Sequence, residues 1–267
     1  MPFNKLKNKL IYCGREVASY ILNYSKNPSN SVRVVIFAQG RTGSTLLESL
    51  LCSTGHFQKN GELLDRTQGQ SEVLFPIQFV CGLSKWKLKK NFIFHVKIYQ
   101  LTKDRKRPID PAYFLETLYQ NGWEIIYLRR KNKVKHALSN IVVKNRGARN
   151  QATTWHKFDD NNKEKTKVFV DCEKLVKKVE KRFRFDNYEK EVLKNVEYHE
   201  VVYEDDLEQS TSHQKTVDRI LDYLSLEPRK TSTNLRKVNT LSPKELISNY
   251  EEFVECSRKS GWSKFLE

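Results

Sequence analysis

Apolar and polar positions fall into two kinds of block along the chain. Four runs are almost continuously apolar: VRVVIFA (32–38), FIFHVKI (92–98), WEIIYLRR (123–130) and VEYHEVVYE (196–204). Apolar character unbroken over that length predicts strands buried on both faces, as in a parallel sheet covered by helices. Between the runs the spacing turns helical. Val134, Ala137, Leu138, Ile141 and Val142 follow i, i+3, i+4, i+7, i+8, and Val217, Ile220, Leu221 and Leu224 mark a second such face. Asp110-Pro111 supplies an N-cap and a first-turn proline. Ser242-Pro243-Lys244-Glu245 is a capping box leading into one helix through Leu246, Ile247, Tyr250 and Phe253.

At the N-terminus, Leu6, Leu10, Val17 and Ile21 lie near one helical face, with lysines interrupting the rest. That pattern predicts an amphipathic helix packed on the domain, in preference to one lying on a membrane, and fits neither a signal peptide nor a span. The polar stretch 144–166 reads as a long loop or lid. With no internal repeat and no clear linker, one α/β domain over 1–267 is expected, with a helical extension at 1–30 and a core at 32–255.

Composition narrows the partners. The 267 residues carry a net charge of +16 at 38% hydrophobic content. That excess fits a polyanionic ligand, nucleic acid or an anionic surface, and equally a lysine-rich solvated exterior. Basic runs such as KWKLKK (85–90) and KDRKR (103–107) occur, but no RNA-binding signature with interleaved aromatics and no zinc-finger spacing appears, so no nucleic acid is expected. Five scattered cysteines with no CxxC pair predict reduced thiols and a cytoplasmic setting.

The candidate chemistry begins after the first strand, at AQGRTGSTLL (38–47). A strand–turn–helix unit of this kind lets successive amides and the positive helix end converge on an anion. Gly40 and Gly43 permit close approach, Thr42, Ser44 and Thr45 bring hydroxyls, and Arg41 can fork onto two oxygens. Against GxxxxGK[ST], Ala38 replaces the first glycine and Ser44 the lysine. No later strand ends in a magnesium-binding aspartate; the third ends in Arg129-Arg130. The loop is therefore P-loop-like without the features of an ATP enzyme, and a metal-free anion site is expected. An ordinary glycine-containing turn is the competing reading.

Arg130 stands where the third strand delivers its carboxyl end, and Ser139 lies beside the apolar stripe of the next helix. Arginine with serine suits a phosphate monoester; a solvated helix start is the alternative. Together the two sites resemble the sulfotransferases that use 3′-phosphoadenosine 5′-phosphosulfate (PAPS), GRTGSTLL looking like their carbohydrate-directed and bacterial branch. YEDDL (203–207) and LRKVNTLSPKELISNYEEF (235–253) are similar to further segments of that branch, nodulation-factor sulfotransferases among it. The resemblance implies a P-loop-like parallel sheet flanked by helices, with helical additions at both termini. It implies PAPS as cofactor and a hydroxyl of a sugar or glycolipid-like acceptor, with no metal. Arg41, Thr42, Gly43, Ser44 and Thr45 take the 5′-phosphosulfate role; Arg130 and Ser139 take the 3′-phosphate role, with Arg129 or Lys131 able to share it, and Arg236-Lys237 closing over it.

For the acceptor's proton, Glu62 in NGELLDR resembles the family's GE, and a surface glutamate is the other reading. Lys97 looks like the lysine at the family's strand end, with Tyr99 where a histidine serves as base in cytosolic members. His95 is read as a buried, satisfied histidine. His136 and His156 have no partners at metal-ligand spacing. The acceptor is expected to touch 63–90 and 144–166. A basic polyanion-binding protein on an inactive scaffold and a divergent P-loop phosphotransferase are the rival functions.

Overall fold

The computed structural model describes residues 2–26, 31–65, 72–86, 91–148, 167–235 and 241–266. In chain order its elements are α1 (Pro2–Asn23), β1 (Arg33–Ala38), α2 (Ser44–Ser53), β2 (Phe57–Lys59), α3 (Pro76–Lys85), β3 (Asn91–Val96), α4 (Ile98–Leu101), α5 (Pro111–Gln120), β4 (Glu124–Arg129), α6 (Lys133–Ala148), α7 (Cys172–Val192), β5 (His199–Val202), α8 (His213–Tyr223), α9 (Pro243–Leu246) and α10 (Tyr250–Lys259). They form two compact units, Met1–Arg129 with Glu189–Ser232 and Arg130–Tyr188 with Thr233–Glu267.

The first unit is built on a five-stranded sheet in the order β2-β3-β1-β4-β5, parallel throughout. Val34, Val35, Ile36 and Phe37 of the central β1 are fully buried, the outcome expected of a strand covered on both faces. Trp123 seals the lower edge, meeting Phe92 and Phe94 edge-on with ring centroids 5.8 and 5.6 Å away. The chain leaves β1 toward β2 and β3 and later crosses to β4 on the other side, so the carboxyl end of β1 is where strand order reverses. That edge carries AQGRTG.

All four apolar runs contain a strand, trimmed at their ends. Lys97 and Ile98 leave the second run to open α4, and only His199–Val202 of the fourth pairs with the sheet. β2 was not expected, being three residues long with one buried side chain. Asp110 caps α5 through Ala112 N–H (2.8 Å), and Val217, Ile220 and Leu221 of α8 are buried, both as the pattern predicts.

The N-terminal helix departs from expectation. It does pack on α3, but through its other side: a Cβ added to Gly82 would lie 1.7 Å from Ser19 O, so the backbones are nearly touching. Val17 and Ile21, expected to be the packed face, are 53% and 69% exposed. Backbone proximity at small residues, not apolar burial, decides which side docks.

In the second unit, Val134, Ala137, Leu138, Ile141 and Val142 of α6 pack with Leu175 and Val179 of α7 and with Leu246, Ile247, Phe253 and Val254. The Ser242–Glu245 capping box forms. The single helix expected after it is broken, because Ile247 pairs with Val168 as a parallel β-bridge and α10 starts afresh at Tyr250. α6 runs on to Ala148, so residues 144–148 of the expected loop are helical, and 149–166 lie outside the described residues. The expectation of reduced thiols is corrected for two cysteines: Cys172 and Cys256 form a disulfide, with Cα atoms 6.0 Å apart. Spacing could not show this, since 84 residues separate them. Cys13, Cys52 and Cys81 take no part in a disulfide. Among the described residues no helix is long and apolar enough to cross a membrane.

Candidate functional site

The loop between β1 and α2 is held in a conformation that most residues avoid. Arg41 has φ 73° and Gly43 φ 96°, both left-handed, and the first is uncommon for any residue with a Cβ. The Thr42 hydroxyl donates to Gln39 O (2.7 Å) and tightens the turn. Gln39 is in turn fixed by Glu189, its Nε2 donating to Oε2 at 2.9 Å. Gly43 is the N-cap residue of α2, and no side chain caps that helix end. Its first-turn amides keep their donor capacity beside a half-exposed Arg41 and Thr45, whereas Ser44 is buried.

Two aromatic side chains clamp the glycines. A Cβ on Gly43 would lie 2.9 Å from Tyr203 Cδ2, and one on Gly40 would meet the Tyr99 hydroxyl at 2.4 Å. Tyr203 opens YEDDL, which is not a simple strand end but a single π-helical turn, Tyr203–Leu207, closed by Glu208 N–H to Tyr203 O (2.8 Å). Buried Asp206 holds this turn by accepting Val202 N–H (2.7 Å) and Arg219 Nη2 (2.9 Å). The acidic motif therefore shapes the floor under Gly43.

Glu62 and Lys97 do come together. Lys97 Nζ is hydrogen-bonded to Glu62 Oε2, and Gln100 Nε2 donates to the same oxygen (2.6 Å). The lysine stem passes the loop, its Cδ 3.8 Å from the position a Gly40 Cβ would take. Lys97 precedes α4 as its N-cap residue, which explains why it leaves the strand and turns toward the loop.

What fixes Glu62 is a residue the spacing did not single out. Glu48 of α2 is wholly buried and accepts the N–H groups of Gly61 (2.6 Å) and Asn60 (3.1 Å), while Asn60 Nδ2 donates to Ile93 O of β3 (2.9 Å). The turn NGE is thus stitched between helix and strand, with Gly61 at φ 67°. His95 sits between the two carboxylates, Nε2 3.5 Å from Glu48 Oε2 and Nδ1 3.9 Å from Glu62 Oε1. It is buried as expected but not satisfied, for Nδ1 has no hydrogen-bond partner. A visible signal existed: Glu48 interrupts LLESLL, an otherwise apolar helix face.

Burial pushes the Glu48 carboxyl up, but the adjacent His95 and the Gly61 and Asn60 amides outweigh it and hold it below the usual glutamate range. A carboxyl lowered in the native state stabilises fully above the ordinary glutamate range, and that contribution is lost as pH falls through the native value. Glu48→Gln should cost about 1–3 kcal/mol at neutral pH. It should also flatten the acid limb of stability measured by urea unfolding at a series of pH values; parallel acid limbs in both proteins would remove Glu48 from this account.

At the end of β4, Arg129 is committed to Glu200, donating from Nε (2.7 Å) and Nη2 (3.1 Å), so it is not a ready partner for a second phosphate. In the second unit Arg130 is buried, and its carbonyl accepts Lys133 Nζ (2.6 Å), which also pairs with Asp186. Ser139 is half-buried on α6, off the buried stripe, and His136 is buried. Arg236, Lys237 and His156 lie outside the described residues.

Among the described residues no three His, Cys, Asp or Glu side chains converge as metal ligands. The chain matches no protein-family model and no curated protein.

Proposed function

We propose that the protein is a PAPS-dependent sulfotransferase with a P-loop-like core, acting on a hydroxyl of a carbohydrate or glycolipid-like acceptor. One observation carries the reading: a left-handed, arginine-bearing loop at an uncapped helix end lies against Lys97, whose ammonium is paired with a fixed carboxylate. The loop fits a phosphosulfate group because glycines, an uncapped helix end and an arginine fall within five residues of one turn, and such groups are stabilised by preorganised donors without the charge load of ATP. Bound PAPS would supply the sulfuryl group and a phosphate leaving group. Arg41 and the first-turn amides of α2 hold that anionic end.

Glu62 accepts the proton of the acceptor hydroxyl. Its pairing with Lys97 and Gln100 orients it, leaving Oε1 on the His95 side. Once Glu62 is protonated the ion pair is lost, and the Lys97 ammonium is available to the charge developing at the neighbouring loop. Proton transfer and leaving-group stabilisation are thereby coupled through one lysine. By sequence resemblance the 3′-phosphate falls to Arg130 and Ser139.

A thermal-shift screen tests the reading. Adenosine 3′,5′-bisphosphate should raise the melting temperature in the manner of a native-state ligand, and ATP with or without magnesium should not. Arg41→Ala should weaken that nucleotide by about 10- to 100-fold, the worth of a charge-assisted contact. Stabilisation by magnesium–ATP instead, or no effect of Arg41→Ala, would defeat it.

A further inference from the structure

We infer that the exposed stripe of α1 docks the protein on an anionic phospholipid surface. Cys13, Val17, Ile21 and Tyr24 recur at helical spacing and are exposed at every one of these positions. In the sequence, Leu6 and Leu10 continue the same spacing toward the N-terminus. An apolar stripe of this length is ordinarily the side a helix buries. Here the burying side is the opposite one, where Ser19 meets Gly82, so the fold itself leaves the stripe uncovered.

The patch continues beyond the helix. Leu74 and Phe75 are about half exposed and are tied to α1, Leu74 N–H donating to Glu16 Oε1 (2.8 Å) and Phe75 N–H to Tyr20 Oη (3.1 Å), with the two rings edge-on at 5.6 Å.

Charge selects the occupant. Lys5, Lys7, Lys9 and Arg15 stand on α1 against a single acidic residue, Glu16, and no further acidic residue occurs before Glu48. Glu16 is held by Tyr20 and the Leu74 amide, and four basic residues against this one acidic residue leave the segment net positive. In the sequence, Lys7 and Lys9 fall at helical spacing on either side of the run Leu6, Leu10, Cys13 and Val17, and an apolar stripe with basic flanks is the pattern of helices that lie at headgroup level. A second copy of this chain would bring two such basic helices together, which like-charge repulsion opposes. A lipid surface bearing negative charge satisfies both the stripe and its flanks.

The inference stands apart from the nucleotide reading, since no residue of the loop takes part. Flotation of the full chain with vesicles of phosphatidylcholine alone, and of phosphatidylcholine with phosphatidylglycerol, tests it. The wild type should float with the anionic vesicles at low salt and stay behind with the neutral ones. The doubly substituted Val17→Glu, Ile21→Glu chain should bind anionic vesicles at least about tenfold more weakly, with helical circular dichroism and nucleotide response unchanged. Lys7→Glu with Lys9→Glu should also weaken binding and leaves the apolar stripe intact. A wild type that ignores anionic vesicles, glutamate variants that float like it, or a solution dimer that Val17→Glu, Ile21→Glu dissolves would each overturn the assignment.

Discussion

Glu62→Gln should slow sulfuryl transfer by about 10²- to 10⁴-fold, the range in which a positioned general base contributes. The amide keeps the shape of the side chain and can still meet Lys97 and Gln100, but it cannot take a proton at Oε1. Affinity for adenosine 3′,5′-bisphosphate should stay within about twofold, because a loss confined to turnover marks an interaction used in the transition state. The measurement is release of that nucleotide from PAPS in the presence of a panel of hydroxylated glycans, with binding followed separately by calorimetry. Equal losses in turnover and nucleotide affinity would mean that Glu62 merely anchors Lys97, and the base would have to be sought elsewhere. His95→Gln gives a useful contrast: acting only by steering Glu62, it should lower turnover by less than Glu62→Gln does and leave nucleotide affinity unchanged.

Opening the Cys172–Cys256 bond should have the largest effect on stability. The bond joins the first residue of α7 to α10 across 84 residues, and in the chain-entropy account closing a loop of that size contributes about 4 kcal/mol. Urea unfolding with and without dithiothreitol reads this directly. The Cys172→Ser, Cys256→Ser chain should match the reduced protein and should itself be indifferent to reductant, which separates this bond from any effect at Cys13, Cys52 and Cys81, which take no part in a disulfide. Coincident unfolding curves before and after reduction would show that α10 is secured by its apolar contacts alone. The bond also bears on where the protein works. Disulfides persist in oxidising surroundings and are uncommon among reduced cytosolic proteins, so the cytoplasmic setting suggested by scattered cysteines and an intact Cys172–Cys256 bond are in tension.

Much of the sheet was readable in the sequence because burial on both faces writes an unbroken apolar run, as in Val34 to Phe37. β2 was not, since three residues with one buried side chain leave no period to detect. The side on which α1 docks was misread for a related reason: hydropathy spacing reports where apolar residues lie, whereas Ser19 against Gly82 docks by how closely two backbones can approach. The loop was legible as a strand–turn–helix unit with glycines, hydroxyls and an arginine, whereas Glu62 entered through the resemblance of a short motif. Glu48 was missed, because its role depends on amides of Asn60 and Gly61 that only folding brings to it. The disulfide was missed for the same reason, as a contact between distant positions with no local signature.

The geometry at Arg41 and Gly43 has a kinetic meaning. Thr42 donating to Gln39 and Tyr203 filling the space under Gly43 brace the left-handed turns of the loop from within the protein. An anion that enters has little backbone ordering to pay for. On the function proposed for this loop, competing anions should arrive at similar rates and differ in residence time, the one that matches the fixed donors leaving slowly.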